Sequence, residues 1–154
     1  MKDNNDFLFK YGSLVAKLGF VQIPNILVRN RKALNLTGSE QELAMILISY
    51  EFSGVVSFPS LKQITNQNGM SSSTIHSAKK GLENKRYLSI DRSKPNKYKT
   101  HQYDLLGLRK KLRAVAKNVL DYQFIKEKIS EEEYWKLIEK DNQQEALFTN
   151  IFKN

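Results

Sequence analysis

Ser71, Ser72, Ser73, Thr74, His76 and Ser77, followed at once by Lys79 and Lys80, place five hydroxyls, an imidazole and two ammonium groups within ten residues. Such groups hydrogen-bond phosphate oxygens and base edges, and the hydroxyl-bearing side chains are small enough to allow close approach. A second set follows: Arg92, Lys94, Asn96, Lys97 and Lys99, four cations and an amide around Pro95. Residues 79–99 hold eight Lys or Arg against two acids, a net +6 out of +9 for the whole 154-residue chain. A local concentration of this kind reads as the footprint of a polyanion, nucleic acid before an anionic membrane surface. The alternative for each set is a solvated polar face and a charged hairpin tip serving solubility.

Other chemistries lack their residues. There are no cysteines, which removes disulfides, thiolate metal sites and thiol nucleophiles. His76 and His101 lie far apart in sequence, and a metal site would need more ligands at workable spacing. No Gly-rich phosphate loop or G-x-S-x-G elbow occurs. The chain is therefore expected to be no enzyme and to need no cofactor or metal. No apolar run reaches the ~20 residues that span a bilayer. The first six residues, Met-Lys-Asp-Asn-Asn-Asp, lack the charge pattern of a secretory leader, so a cytoplasmic location is expected.

The elements that position these groups are legible in part. Ser60-x-x-Gln63 is a capping box opening a short helix with Leu61 and Ile64 inward, and Asn66 to Gly69 ends it. Ser71 is an N-cap for the next helix, with Met70 and Ile75 at staple positions. Ile75, Ala78 and Leu82 form its inward stripe, leaving Ser72, Ser73, His76, Ser77, Lys80 and Asn84 outward or sideways. Tyr87 to Asp91 alternates as a half-buried strand, residues 92–97 are turn chemistry, and Tyr98 to Tyr103 returns as a second strand.

Upstream, Phe7, Leu8, Phe9 and Tyr11 suggest a short strand or an arm, and Ser13 to Leu18 a helical turn. Phe20 to Pro24 reads as a strand ended by proline, and Asn25 to about Ala33 as a helix. Arg29, Arg31 and Lys32 lie in that helix and are read as a solvated face. Thr37-x-x-Glu40 and Ser39-x-x-Glu42 are alternative capping boxes for a helix buried on most sides through Leu43, Ala44, Ile46, Leu47, Ile48 and Tyr50, ending near Ser53-Gly54. Residues 55–58 read as a short strand.

Downstream, Leu105, Leu108, Leu112, Val115, Val119 and Tyr122 step by three and four as a heptad-like seam. The seam is expected to make a homodimer, with folding back onto the domain as the alternative. Ser130-x-x-Glu133 caps a helix from Glu131 to about Asp141, and residues 146–152 form a short apolar tail for a core, a dimer or a protein partner.

Gly19 to Asn25, Leu36 to Glu40, Phe58 to Leu61, Gly69 to Ile75 and Leu82 to Lys85 follow one another at intervals that resemble a known family. It is the winged helix-turn-helix at the N-terminus of phage and plasmid replication initiators and replisome organisers of Gram-positive bacteria. The resemblance covers about residues 19–103 and departs at Arg86, where the family usually has Gly. It implies a mainly α fold with a small β-hairpin (α+β), the winged helix-turn-helix. With an N-terminal extension that domain is expected over residues 1–103, and the helical period that begins at Leu105 adds an appendage over 104–154, read as a dimerisation element. The expected function is sequence-specific binding of double-stranded DNA for a mobile element, in replication initiation, transfer at an origin or control of transcription. A winged-helix adaptor between proteins is the alternative.

Overall fold

A computed structural model describes residues 4–51, 56–57, 59–92 and 101–151. The chain divides into two compact units, Met1–Arg109 and Lys110–Asn154. The architecture is mainly helical with a small antiparallel sheet. No helix among the described residues is long and apolar enough to cross a membrane.

The first unit begins with α1 (Asn4–Leu18), whose helix is interrupted at Gly12, where φ 79° and ψ 166° leave the helical region. Helix on both sides of that break replaces the expected strand or arm. Phe9, Leu14 and Leu18 are exposed. The strand expected over residues 20–24 is not formed: hydrophobic content alone does not make one, since a strand needs a neighbour's backbone to pair with. Pro24 instead precedes α2 (Asn25–Arg29) at the N-cap position, its carbonyl accepting from the Leu27 amide at 3.0 Å. α2 is shorter than its pattern suggested. Gln41 donates to the Leu27 and Val28 carbonyls at 2.7 and 3.0 Å, terminating the helix from outside. Arg31 and Lys32 consequently lie in a turn that closes at Asn35, φ 52°.

α3 (Gly38–Ser49) uses the first of the two candidate capping boxes. Thr37 Oγ1 accepts from the Glu40 amide at 3.2 Å, and Glu40 Oε2 accepts from the Thr37 amide at 2.7 Å. The same carboxylate, 4 % exposed, is ion-paired with Lys85. Burial opposes its ionisation, but Lys85 and the Thr37 amide together outweigh that penalty and hold Glu40 below the usual carboxylate value. Leu43, Ala44, Ile46 and Leu47 are buried as expected. The helix stops at Ser49 with Tyr50 as its C-cap, earlier than Ser53-Gly54, and both of those residues lie outside the described ones.

The remaining elements of this unit are β1 (Val56–Ser57), α4 (Leu61–Asn68), α5 (Ser72–Asn84), β2 (Ser89–Asp91), β3 (Gln102–Asp104) and the start of α6 (Leu106–Ile125). The strand order is β1-β3-β2, antiparallel throughout, with Ser57 and Ile90 both opposite Tyr103. The pairing of β1 with β3 joins Val56 to Asp104, a non-local partnership that no periodicity signals. Buried Tyr103 thus sits at the middle of the sheet.

Leu105, Leu108, Leu112 and Val115 are 1 %, 1 %, 8 % and 6 % exposed in the single chain, the burial that folding back onto the same chain, the alternative reading of this seam, requires. Their apolar surface is covered by atoms of the same chain. Val119 and Tyr122, at 37 % and 56 %, are the exposed end of the seam.

In the second unit α6 continues to Ile125, and a turn with Glu127 at φ 52° leads into α7 (Glu131–Ile151). Pairings that run from Arg113 with Asp141 and Glu145 to Phe124 with Tyr134 make the two helices antiparallel. The Tyr134 hydroxyl donates to Asp121 at 2.8 Å, and Lys117 pairs with the same carboxylate at 2.9 Å. Ser130 caps α7 through the Glu133 amide at 3.2 Å. The helix runs about ten residues beyond the expected end, absorbing most of the apolar tail.

Candidate nucleic-acid interface

α4, a tight turn and α5 form the helix-turn-helix. Ser60 and Gln63 cap α4 reciprocally, with bonds of 3.1 and 2.8 Å. The helix is closed by Gly69, whose φ of 72° is left-handed and whose amide donates to the Thr65 carbonyl at 3.0 Å. Two residues later Ser71 Oγ accepts from the Thr74 amide at 3.1 Å, starting α5. Met70, Ile75, Ala78 and Leu82 are buried, as staple and stripe require. α5 packs most extensively against α3 and also against α4.

The close approach of α3 and α5 depends on Gly81. A Cβ there would lie 2.0 Å from Glu40 Oε1, so the absent side chain makes room for the capping and ion-pairing carboxylate. The pattern of α5 does not signal this, because Gly81 there looks like a weak point in a helix.

Ser72, Ser73, His76, Ser77 and Lys80 are exposed on one face. The hydroxyls are not equivalent. Ser71 Oγ is engaged as the cap and lies 2.8 Å from Thr74 Oγ1 and 3.0 Å from Ser73 Oγ, a cluster turned onto its own backbone. Ser72, His76, Ser77 and Lys80 have no hydrogen-bond or ionic partner among the described residues. Lys79 is drawn sideways: its Nζ donates to the Tyr103 hydroxyl at 3.3 Å and stands 5.1 Å from the ring centre.

The wing joins this face through its first residues. Arg92 makes a two-pronged pair with Glu83 of α5, at 3.0 and 3.1 Å, which raises the guanidinium's pKa further. Lys94, Asn96, Lys97 and Lys99 lie outside the described residues, as do Tyr98 to Thr100 of the expected returning strand. The net charge read from sequence is therefore partly spent inside the fold. Lys85 is matched by Glu40 and Arg92 by Glu83, while exposed Lys80 and Arg86 have no ionic partner among the described residues. The partners Glu83 and Tyr103 carry no sequence signal for these roles, being 9 and 24 positions from the cations they hold.

The exit from α5 turns on Arg86, which takes the left-handed conformation at φ 59°. Its amide donates to the Glu83 carbonyl and the Tyr87 amide to the Leu82 carbonyl, both at 2.9 Å, the two closures of a Schellman motif. A residue with a Cβ is disfavoured by about 1–2 kcal/mol in that region. Arg86→Gly is accordingly expected to raise stability by about 1 kcal/mol, part of the gain being offset by the greater freedom of glycine in the unfolded chain. A higher urea midpoint at constant slope would establish it; a fall would show that the arginine side chain stabilises the exit.

Among the described residues no group of three or more His, Asp or Glu could hold a metal ion. No curated protein and no solved structure matches the chain. The sequence profile described as DnaD N-terminal domain does, over residues 23–123, which takes in the helix-turn-helix, the sheet and most of α6. That match, together with the capped helices and three-stranded sheet, places the chain in the DnaD N-terminal domain family, a winged-helix-like domain of the replication organisers of Gram-positive bacteria, with a replication-related role in DNA binding or oligomerisation.

Proposed function

We propose that this protein binds double-stranded DNA sequence-specifically, without catalysis, in replication initiation for a plasmid or phage. α5 enters the major groove by the face bearing Ser72, Ser73, His76 and Ser77, and the hairpin lies along the neighbouring backbone. The observation that carries the reading is that face: small polar groups exposed together, and all but Ser73 without a partner among the described residues, on a helix whose opposite stripe is buried. Membership of the family supports replication over promoter control or transfer at an origin.

Ser72→Ala, Ser73→Ala and His76→Ala are expected to change the ranking of DNA sites. Deleting a side chain that bonds a base edge removes roughly 1–3 kcal/mol of discrimination. Melting should hardly change, because exposed side chains contribute little to stability. The measurement is fluorescence anisotropy on duplexes selected by footprinting, with origin fragments compared against promoter fragments. If the ranking is intact in all three variants, α5 is not the reader. The adaptor reading then gains, supported by the exposed Phe9, Leu14 and Leu18 of α1 and Trp135 and Leu147 of α7.

A further inference from the structure

We propose that Glu83 acts as a built-in phosphate surrogate: it holds Arg92 in the free protein and releases it to the DNA backbone on binding, so that it restrains sequence-independent affinity. The inference rests on the DNA-binding reading above and adds to it a residue whose charge is wrong for touching DNA directly.

The geometry supplies the argument. Glu83 lies in the last turn of the reading helix, and Arg92 begins the segment after β2. Both carboxylate oxygens accept from the two terminal nitrogens of the guanidinium, at 3.0 and 3.1 Å. A phosphate group presents a similar pair of acceptor oxygens to an arginine fork, so one partner can replace the other without a change in the cation's donor geometry. Arg92 and Glu83 side chains are 56 % and 30 % exposed, which leaves the pair open to solvent and screened. Screened pairs of this kind are weak. A DNA phosphate, favoured both by its own charge and by release of its condensed counterions, can displace the carboxylate.

The fold contrasts this pair with its neighbour. Lys85, two residues along, is held by Glu40, a carboxylate 4 % exposed and committed to a helix cap. That pair is structural and stays closed. The Glu83 carboxylate has no second engagement of that kind among the described residues. The difference in burial separates a brace from a releasable latch.

The test uses the full chain and a mixed-sequence duplex of about 30 base pairs, with affinity measured from low to moderate salt. Wild-type binding sets the reference slope. Arg92→Ala is expected to make the log–log salt dependence shallower by about 0.9, one phosphate neutralised fewer, and Arg92→Lys to restore it. Glu83→Gln is expected to raise affinity roughly two- to fivefold, the range set by a screened ion pair, at an unchanged slope. The gain should shrink when Glu83→Gln is added to Arg92→Ala, because the carboxylate then has no cation to release. Thermal melting monitors folding in each variant. If Arg92→Ala leaves the slope unchanged, or Glu83→Gln lowers affinity, the pair is a permanent brace and the proposal fails. If Glu83→Gln raises affinity equally with and without Arg92, the carboxylate merely repels DNA and the proposal fails as well. A wild-type protein with no salt-dependent binding would instead remove the DNA-binding reading itself.

Discussion

Gly107→Ala is expected to destabilise the protein by about 3 kcal/mol, with a fall in melting temperature of about 10 °C. Helix propensity predicts the opposite sign. Gly107 is the second residue of α6, and alanine in place of a helical glycine ordinarily adds up to ~1 kcal/mol. The reversal comes from what faces it. A Cβ at Gly107 would lie 1.8 Å from the Arg86 carbonyl oxygen, 2.9 Å from its carbon and 3.2 Å from the Tyr87 Cα. These are backbone atoms of a turn already held left-handed, and the adjacent Leu108 amide donates to the Tyr87 carbonyl at 3.1 Å. Neither side can give way cheaply. The start of α6 would have to part from the exit of α5, loosening the approach to β2 with it. Gly38→Ala is the matched control, since its Cβ meets a movable Arg31 guanidinium at 3.3 Å, and it should be close to neutral. Denaturant unfolding of both variants decides the matter: equal midpoints would mean that the α6 start shifts freely.

What the sequence disclosed and what it hid divide along physical lines. The caps at Thr37, Ser60, Ser71 and Ser130 were legible because each satisfies orphan amides within four residues. So was the Ile75, Ala78, Leu82 stripe, a consequence of helical period alone. The local pattern misled where a neighbour had to decide the outcome. Phe20 to Pro24 has strand composition but forms no strand, whereas Val56 and Ser57 have little more and pair with β3. The Leu105 to Val115 seam is heptad-like, and a heptad does not say whether its partner is a second copy or the same chain. Within the candidate site, residue types and exposure were readable, but the ties of Lys79 to Tyr103 and Arg92 to Glu83 were not. Those ties alter the electrostatic reading: two of the cations counted toward the footprint, Lys85 and Arg92, are matched by carboxylates before any ligand arrives.

That internal matching puts more weight on residues 93–100, a segment of sequence with three lysines, Lys94, Lys97 and Lys99, and no acid. Lys94→Ala combined with Lys97→Ala is therefore expected to weaken binding to every duplex alike. With two phosphates fewer neutralised, the log–log salt slope falls by about 1.8, which at ~0.15 M salt amounts to roughly a 30-fold drop in affinity relative to a ~1 M reference. The ranking of DNA sites should be preserved, since bonds to phosphate carry no base information. This is the converse of the result expected for Ser72, Ser73 and His76, and the two sets together separate positioning from reading. Thermal melting of the double variant checks that folding is intact. Anisotropy titrations at several salt concentrations measure the slope directly. An unchanged slope would remove Lys94 and Lys97 from the interface and leave Arg92, with Lys80 and Arg86, the exposed cations of α5 and its exit, as the groups that must hold the DNA backbone.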